Sequence, residues 1–207
     1  MIGNGEKNLR KKFKFFVFSH FFLYLCAMRY FLSDTHWGDD RLGIDKPNVF
    51  FRTFSSIDEQ NEILLNNILK TVKDGDEIYH GGDVIVNLDY IHIVEKLRDS
   101  LPNSKFNLII GNYDVDKLQI LSKFFDNMVE ECNLVIEDKN YYFNHYPEKC
   151  IDKEFSITGH IHGLWKVQKN MINIGVDAWH YLPIPETQIA FVRNACEKYY
   201  DKNVFPF

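Results

Sequence analysis

The sequence predicts an α/β layered fold, and three observations carry that expectation. Short runs rich in Ile, Val, Phe and Tyr, each closed by turn residues, alternate with longer amphipathic stretches. A chain of 207 residues with 45% hydrophobic and 26% charged side chains can bury one sizeable core. Polar residues collect directly after the apolar runs, where α/β folds gather ligands at the carboxyl ends of strands. The same composition excludes disordered, collagen-like and disulfide-scaffold classes.

Strands are expected over 29–33, 77–80, 106–110, 133–136, 140–144, 155–158, 171–174 and 187–192. The first helix is expected over 56–72. Ser56 and Glu59 have the spacing of a capping box, in which a hydroxyl and a carboxylate each accept from an otherwise unpaired N–H. Leu64, Ile68 and Val72 recur every four residues and face the core. Lys73-Asp74-Gly75-Asp76 ends the helix, and two more are expected over 89–99 and 115–126.

Charge is uneven. Residues 1–27 hold Lys7, Arg10, Lys11, Lys12 and Lys14 against Glu6, a net +4 within a chain of −5, which leaves −9 on residues 28–207. So acidic a body is a poor non-specific partner for nucleic acid, whose phosphates are bound by Lys and Arg displacing counterions. Cys26, Cys132, Cys150 and Cys196 stand far apart with no Cys-x-x-Cys. That argues against a disulfide framework or a zinc–thiolate site and for a reducing, cytoplasmic location.

Residues 1–27 read separately from the rest. The basic stretch 10–14 precedes an apolar run over 15–27, which has the look of a signal peptide. Ser19 and His20 interrupt the run, small residues are missing before any cleavage point, and the first strand begins at once after Met28. The expectation is a mis-called start, with one domain over 28–207. A signal or anchor segment is the alternative and would move the protein to the membrane or beyond it.

Five strand ends supply an Asp, Asn or His: Asp34-Thr35-His36, Gly81-Gly82-Asp83, Gly111-Asn112-Tyr113-Asp114, Asn144-His145, and Gly159-His160-Ile161-His162-Gly163. Oxygen and imidazole donors of this kind bind divalent metals. Asp34-x-His36 and His160-x-His162 each let extended backbone aim two ligands at one place. Glycine before Asp83 permits a tight exit from the strand, and a carboxylate there can bridge two cations. Singly these motifs are ordinary turns; it is the ordered set that carries meaning.

On those residues, together with Ser33-Asp34-Thr35-His36-Trp37-Gly38, His145-Tyr146-Pro147 and Asn173-Ile174-Gly175-Val176-Asp177-Ala178-Trp179, the chain resembles the calcineurin-like metallophosphoesterases. The likeness spans 28–207 and is nearest to their small single-domain bacterial and phage type. The resemblance implies two facing, mostly mixed β-sheets flanked by helices. It also implies a two-metal site, with Asp34, His36 and His162 on one ion, Asn112, His145 and His160 on the other, and Asp83 bridging. Two divalent ions, manganese first and iron, zinc, nickel or cobalt as alternatives, would clamp a phosphoester and activate the attacking water.

One position departs from the pattern. The family usually has His where this chain has Tyr113, between Asn112 and Asp114. A phenol with a pKa near 10 is a poorer proton donor at neutrality than imidazole. Asn112, Tyr113 and Asp114 are therefore the residues to watch for catalysis, with Asp114 expected to orient the ring at 113. Arg41 and Arg52 are read as surface arginines, with contact to a substrate phosphate as the alternative. Trp37 and Trp179 are read as packing or rim residues, and Asp177 as a supporting or turn-capping carboxylate. Among the other histidines, His80 is expected to be packed in the core or to support the site, His92 to lie on a helix surface and His180 at the rim, while His20 falls in the leader.

The expected activity is hydrolysis of a small phosphodiester or nucleotide-type phosphoester. A nuclease acting on DNA or RNA ends is the alternative within the same chemistry. A non-catalytic metal-binding scaffold is the alternative outside it.

Overall fold

The computed structural model describes residues 27–42 and 52–199. The leader up to Cys26 therefore lies outside the described residues. Strands are numbered in chain order. The first sheet runs, in spatial order, β10 (Ile184–Pro185), β1 (Arg29–Leu32), β2 (Glu77–His80), β3 (Lys105–Ile109) and β4 (Asn127–Val129). Strands β1 to β4 are parallel to their neighbours and β10 is antiparallel at the edge. The second sheet runs β5 (Glu131–Ile136), β6 (Lys139–Asn144), β7 (Ser156–Thr158), β9 (Met171–Asn173) and β8 (Val167–Gln168). Here β6, β7 and β9 are parallel, with β5 and β8 antiparallel at the edges. The two mixed sheets and flanking helices are the architecture the sequence predicts.

Period-two alternation along the strands divides the apolar side chains between two cores. Phe31 of β1 and Ile109 of β3 join Phe143, Ile157 and Ile172 of the second sheet in a cluster between the sheets. Their neighbours Leu32 and Leu108 turn the other way. They meet Leu64, Ile68, Val94 and Leu97 from two helices, α1 (Ile57–Thr71) and α2 (Ile91–Ser100). Each such buried side chain contributes about 1.5–3 kcal/mol.

The start of α1 follows the expected chemistry with one change. Ser56 Oγ accepts from Glu59 N at 3.0 Å, as a cap should. The Glu59 carboxylate, however, accepts from Ser55, at N 2.5 Å and Oγ 2.6 Å. The reciprocal bond thus closes one residue upstream of the box expected from spacing.

Two expectations are corrected. Residues 187–192 are not a strand but lie inside α4 (Glu186–Tyr199). Ile189, Ala190 and Arg193 are buried while Phe191 is exposed, the spacing of a helix face. The apolar run misled because Arg193, the residue that completes the face, is charged. Its guanidinium lies 4.8 Å over the Tyr141 ring and donates to Asn140 O and Glu154. The helix expected over 115–126 reduces to a 3₁₀ turn at Val115–Lys117 and a single turn, α3 (Leu118–Leu121). Phe125 leaves the helical path to pack edge-on to His80 and Phe106. Asp126 then accepts from Phe106 N at 2.8 Å and leads the chain into β4.

Among the described residues, no helix is long and apolar enough to cross a membrane.

Candidate metal centre

The carboxyl ends of β1, β2, β3, β6 and β7 converge at one edge of the sandwich. Pairing between the first two strands continues beyond the sheet: Asp34 N donates to Gly82 O, His36 N to Asp83 O and Trp37 N to Val84 O. Val176 N donates to Ser33 O, so the segment after β9 is tied to the same edge. The backbone there is contorted. Among the described residues, nine that are not glycine have positive φ, and five of these are Asp34, His36, Asp83, His160 and His162. A left-handed conformation costs a non-glycine residue about 1–3 kcal/mol and persists where its surroundings enforce it, commonly at functional sites. Gly82 has φ +100°, and a Cβ there would meet His145 Nδ1 at 2.5 Å and Gly111 N at 2.8 Å. Only glycine lets these two loops approach.

Two groups of donors result. Asp34, His36 and His162 form one and Asp83, His145 and His160 the other, with the ligand atoms of each group within 4.8 Å of one another. Both groups draw on both sheets. Asp34 and His36 follow β1, and Asp83 follows β2. His145 follows β6, and His160 and His162 follow β7. Asp83 stands between the groups: its Oδ2 is 3.3 Å from His36 Nε2 and 3.5 Å from His145 Nε2. Its Oδ1 accepts from Tyr113 N at 2.9 Å.

Ring orientation is set from behind. His145 Nδ1 lies 2.7 Å from Gly81 O, so this nitrogen carries the proton and Nε2 faces the site. His162 Nδ1 lies 2.8 Å from Asp177 Oδ2, the carboxylate–histidine arrangement that supports metal ligands. His36 Nδ1 lies 3.3 Å from Asp39 Oδ2. His160 is more exposed; its backbone N–H donates to both Asp34 oxygens at 3.1 Å.

The electrostatics fit a cation. Burial alone would lower the His145 pKa, but Asp83 and Asp34 outweigh it and raise the ring to about 9. His36 is raised in the same way, against burial, by Asp39, Asp83 and Asp34. Burial works against the charge of Asp83 as well, yet His145 and His36 hold its carboxyl well below the usual range. Carboxylates that draw protons onto buried rings make a pocket whose charge a divalent ion would balance. The donors are all oxygen and imidazole nitrogen, which suits such ions without thiolate.

The remaining expected residues fall out as follows. Asn112 is exposed in the turn after β3. Tyr113 packs its ring edge-on to His36, with centroids 4.8 Å apart. Asp114 is wholly buried, and contrary to the expectation from sequence its carboxylate is turned to backbone rather than to the residue-113 side chain. Its Oδ2 accepts from Asp83 N and Gly111 N, and its Oδ1 from Val84 N, at 2.8–2.9 Å. Burial raises its carboxyl to about 6. It is a positioning residue that holds the Asp83 turn against the Gly111 turn. His80 is both buried and bonded to the Gly82 turn, which joins the two alternatives read from sequence. Its Nδ1 accepts from Gly82 N, so Nε2 donates to Thr35 Oγ1, which donates on to Val84 O. Burial lowers this ring to about 3, keeping it neutral in that role.

Arg52 overturns its reading as a surface residue. It is fully buried and donates to Asp177 Oδ1 (Nε, 2.6 Å) and Oδ2 (Nη2, 2.9 Å), to Thr35 O (Nη1, 3.0 Å) and to Asp34 O (Nη2, 2.5 Å). It thereby fixes the Asp34–Thr35 backbone and the carboxylate behind His162. Asp39 was not singled out by sequence at all, although its spacing to His36 and Arg41 was visible. Trp37 is core, and Trp179 donates from Nε1 to Asn173 O. His180 and His92 are exposed.

No family model matches the chain. An uncharacterized protein of Methanocaldococcus jannaschii is 28% identical over 167 residues, covering 75% of this chain and 85% of that protein. Among solved structures, a protein of unknown function from Aquifex aeolicus matches with a TM-score of 0.63 and 27% identity, over 80% of this chain and 99% of that one. A phosphoesterase from E. coli matches more distantly, with a TM-score of 0.44 and 15% identity over 72% of this chain and 78% of its own.

Proposed function

We propose that the protein is a metal-dependent phosphoesterase that hydrolyses a small phosphoester. The observation that carries this is the seat of Asp83. Its Oδ2 stands between His36 and His145, at the boundary of two donor groups that each combine carboxylate and imidazole. Asp34, His36 and His162 would hold one divalent ion, and Asn112, His145 and His160 the other, with Asp83 shared. When bound, two such ions neutralise charge on the phosphoryl oxygens and acidify a water for in-line attack.

The chain's own part is positioning. Gly81 O and Asp177 keep the protons of His145 and His162 on Nδ1, leaving Nε2 to bind. Tyr113 N holds Asp83 Oδ1 and so sets the angle of the carboxylate. Asp114 ties the Asp83 and Gly111 turns together beneath it. Manganese is the first candidate, by likeness to the family the sequence resembles. A phosphodiester or nucleotide-type substrate fits better than a nucleic acid, because residues 28–207 carry −9.

The test is metal analysis of the purified protein together with hydrolysis of bis-nitrophenyl phosphate in Mn²⁺. Asp83→Asn should retain the fold by circular dichroism, lose bound metal and reduce turnover by orders of magnitude. Wild-type turnover in a folded Asp83→Asn protein would sink the assignment.

A further inference from the structure

The Tyr113 position lacks the imidazole of the resembled pattern, but it does not stand alone. Arg41 reaches it from the loop after β1, with its guanidinium carbon 5.2 Å from the centre of the Tyr113 ring. Asp39 holds the same guanidinium in a fork, Nε to Oδ1 at 2.8 Å and Nη2 to Oδ2 at 2.7 Å. That second carboxylate oxygen is also the one 3.3 Å from His36 Nδ1. A single buried oxygen therefore touches both the back of a candidate metal ligand and the guanidinium. Tyr113 in turn packs on the His36 ring at 4.8 Å. Two groups, Asp39 and Tyr113, thus seat Arg41 at the lip of the centre, both of them against His36, and its side chain remains about half exposed.

A guanidinium has five N–H donors in a fixed plane; Asp39 takes two of them, and the Tyr113 side chain is a further partner of the group. The remaining donors suit phosphate oxygens, which guanidinium binds in the same planar manner as carboxylate. Resting on the reading of the site as a phosphoesterase, we propose that Arg41 is its substrate-phosphate residue. It binds the phosphoryl group and stabilises charge on the departing oxygen, with Asp39 as its positioning residue and Tyr113 as its seat. The balance is simple. A bond forms between water oxygen and phosphorus, and the water proton passes to solvent. The bond to the leaving oxygen breaks, its electron pair stays on that oxygen, and solvent then protonates it. Arg41 keeps its proton throughout, since guanidinium does not act as an acid near neutrality.

The test is calorimetric titration of the full metal-loaded chain with inorganic phosphate, for wild type, Arg41→Gln and Asp39→Asn, with metal content measured on each sample. Loss of a charge-assisted contact should weaken phosphate binding about 10–100-fold in Arg41→Gln. Asp39→Asn should weaken it less, because the guanidinium stays but loses its fork. Equal phosphate affinity in wild type and Arg41→Gln at matched metal content would overturn this inference and leave the phosphoesterase reading intact. A wild type that binds metal but no phosphate would overturn that reading instead. If Arg41→Gln loses metal, the comparison moves to Arg41→Lys at matched metal content. Lysine keeps the charge without the planar fork, so weaker binding is expected, and unchanged binding refutes a guanidinium-specific contact.

Discussion

Replacing Arg52 by Met removes a guanidinium but keeps most of the apolar stem. Arg52 and Asp177 are 0% and 4% exposed, so solvent does little to screen the loss. Four hydrogen bonds vanish, and two of them end on a carboxylate left buried without its cation. Breaking one side of a buried ion pair costs about 3–5 kcal/mol. For a chain of this size each kcal/mol moves the melting temperature roughly 2–4 °C, so Arg52→Met should melt about 6–20 °C below wild type. Scanning calorimetry on metal-free protein reads this directly, without interference from bound ions. Arg52→Met/Asp177→Asn should recover part of the loss, because the stranded charge is gone. A single mutant within about 2 °C of wild type would refute the reasoning, as would a double mutant no more stable than the single. A functional signature should accompany the thermal one. With Asp177 unpinned, His162 loses its support, and metal affinity at the group it shares with Asp34 and His36 should fall about 10–100-fold.

Two other perturbations follow from the same geometry. Gly82→Ala should lower stability and also cut turnover and metal binding at the group containing His145, because at φ +100° the new Cβ would meet the Gly111 backbone at 2.8 Å and the His145 ring at 2.5 Å; metal titration of the folded variant checks this, and unchanged affinity contradicts it. Tyr113→His should restore an ionisable ring near the leaving oxygen, where general-acid help is worth about 10²–10⁴; rates across a series of aryl and alkyl phosphoesters should then depend less steeply on leaving-group pKa, and an unchanged slope refutes it.

The strands that end at the site and most of the donor set were legible, and for one reason. Each ligand-bearing loop begins where an apolar strand stops, so Gly82-Asp83, Asn144-His145 and Gly159-His160 announce themselves by contrast with what precedes them. What could not be read depends on distant partners. Arg52 looks like any loop arginine until Asp177, 125 residues on, is folded against it. Arg193 looks like the polar end of a strand until Tyr141 and Phe155 cover it, and with it went the last helix. Asp114 invited a catalytic reading by its place beside Tyr113, whereas its bonds run to backbone 30 and 31 residues earlier. Strands β4, β8 and β10 span only two or three residues each, too short for any alternation to register.

Because each donor group takes ligands from both sheets, an ion held there is also a cross-link between two halves of the sandwich. Opening the structure along the plane between the sheets would require releasing it. Ligand present at about 1,000 times its dissociation constant adds roughly 4 kcal/mol to stability, and here the gain would be shared by β1 and β2 on one side and β6 and β7 on the other. Hydrogen exchange should register it as slower deuterium uptake by buried amides of both halves, with Phe31 and Phe143 as reporters on opposite walls. The centre would then do mechanical service as well as chemical, and chelation would loosen the molecule across its middle rather than at its rim.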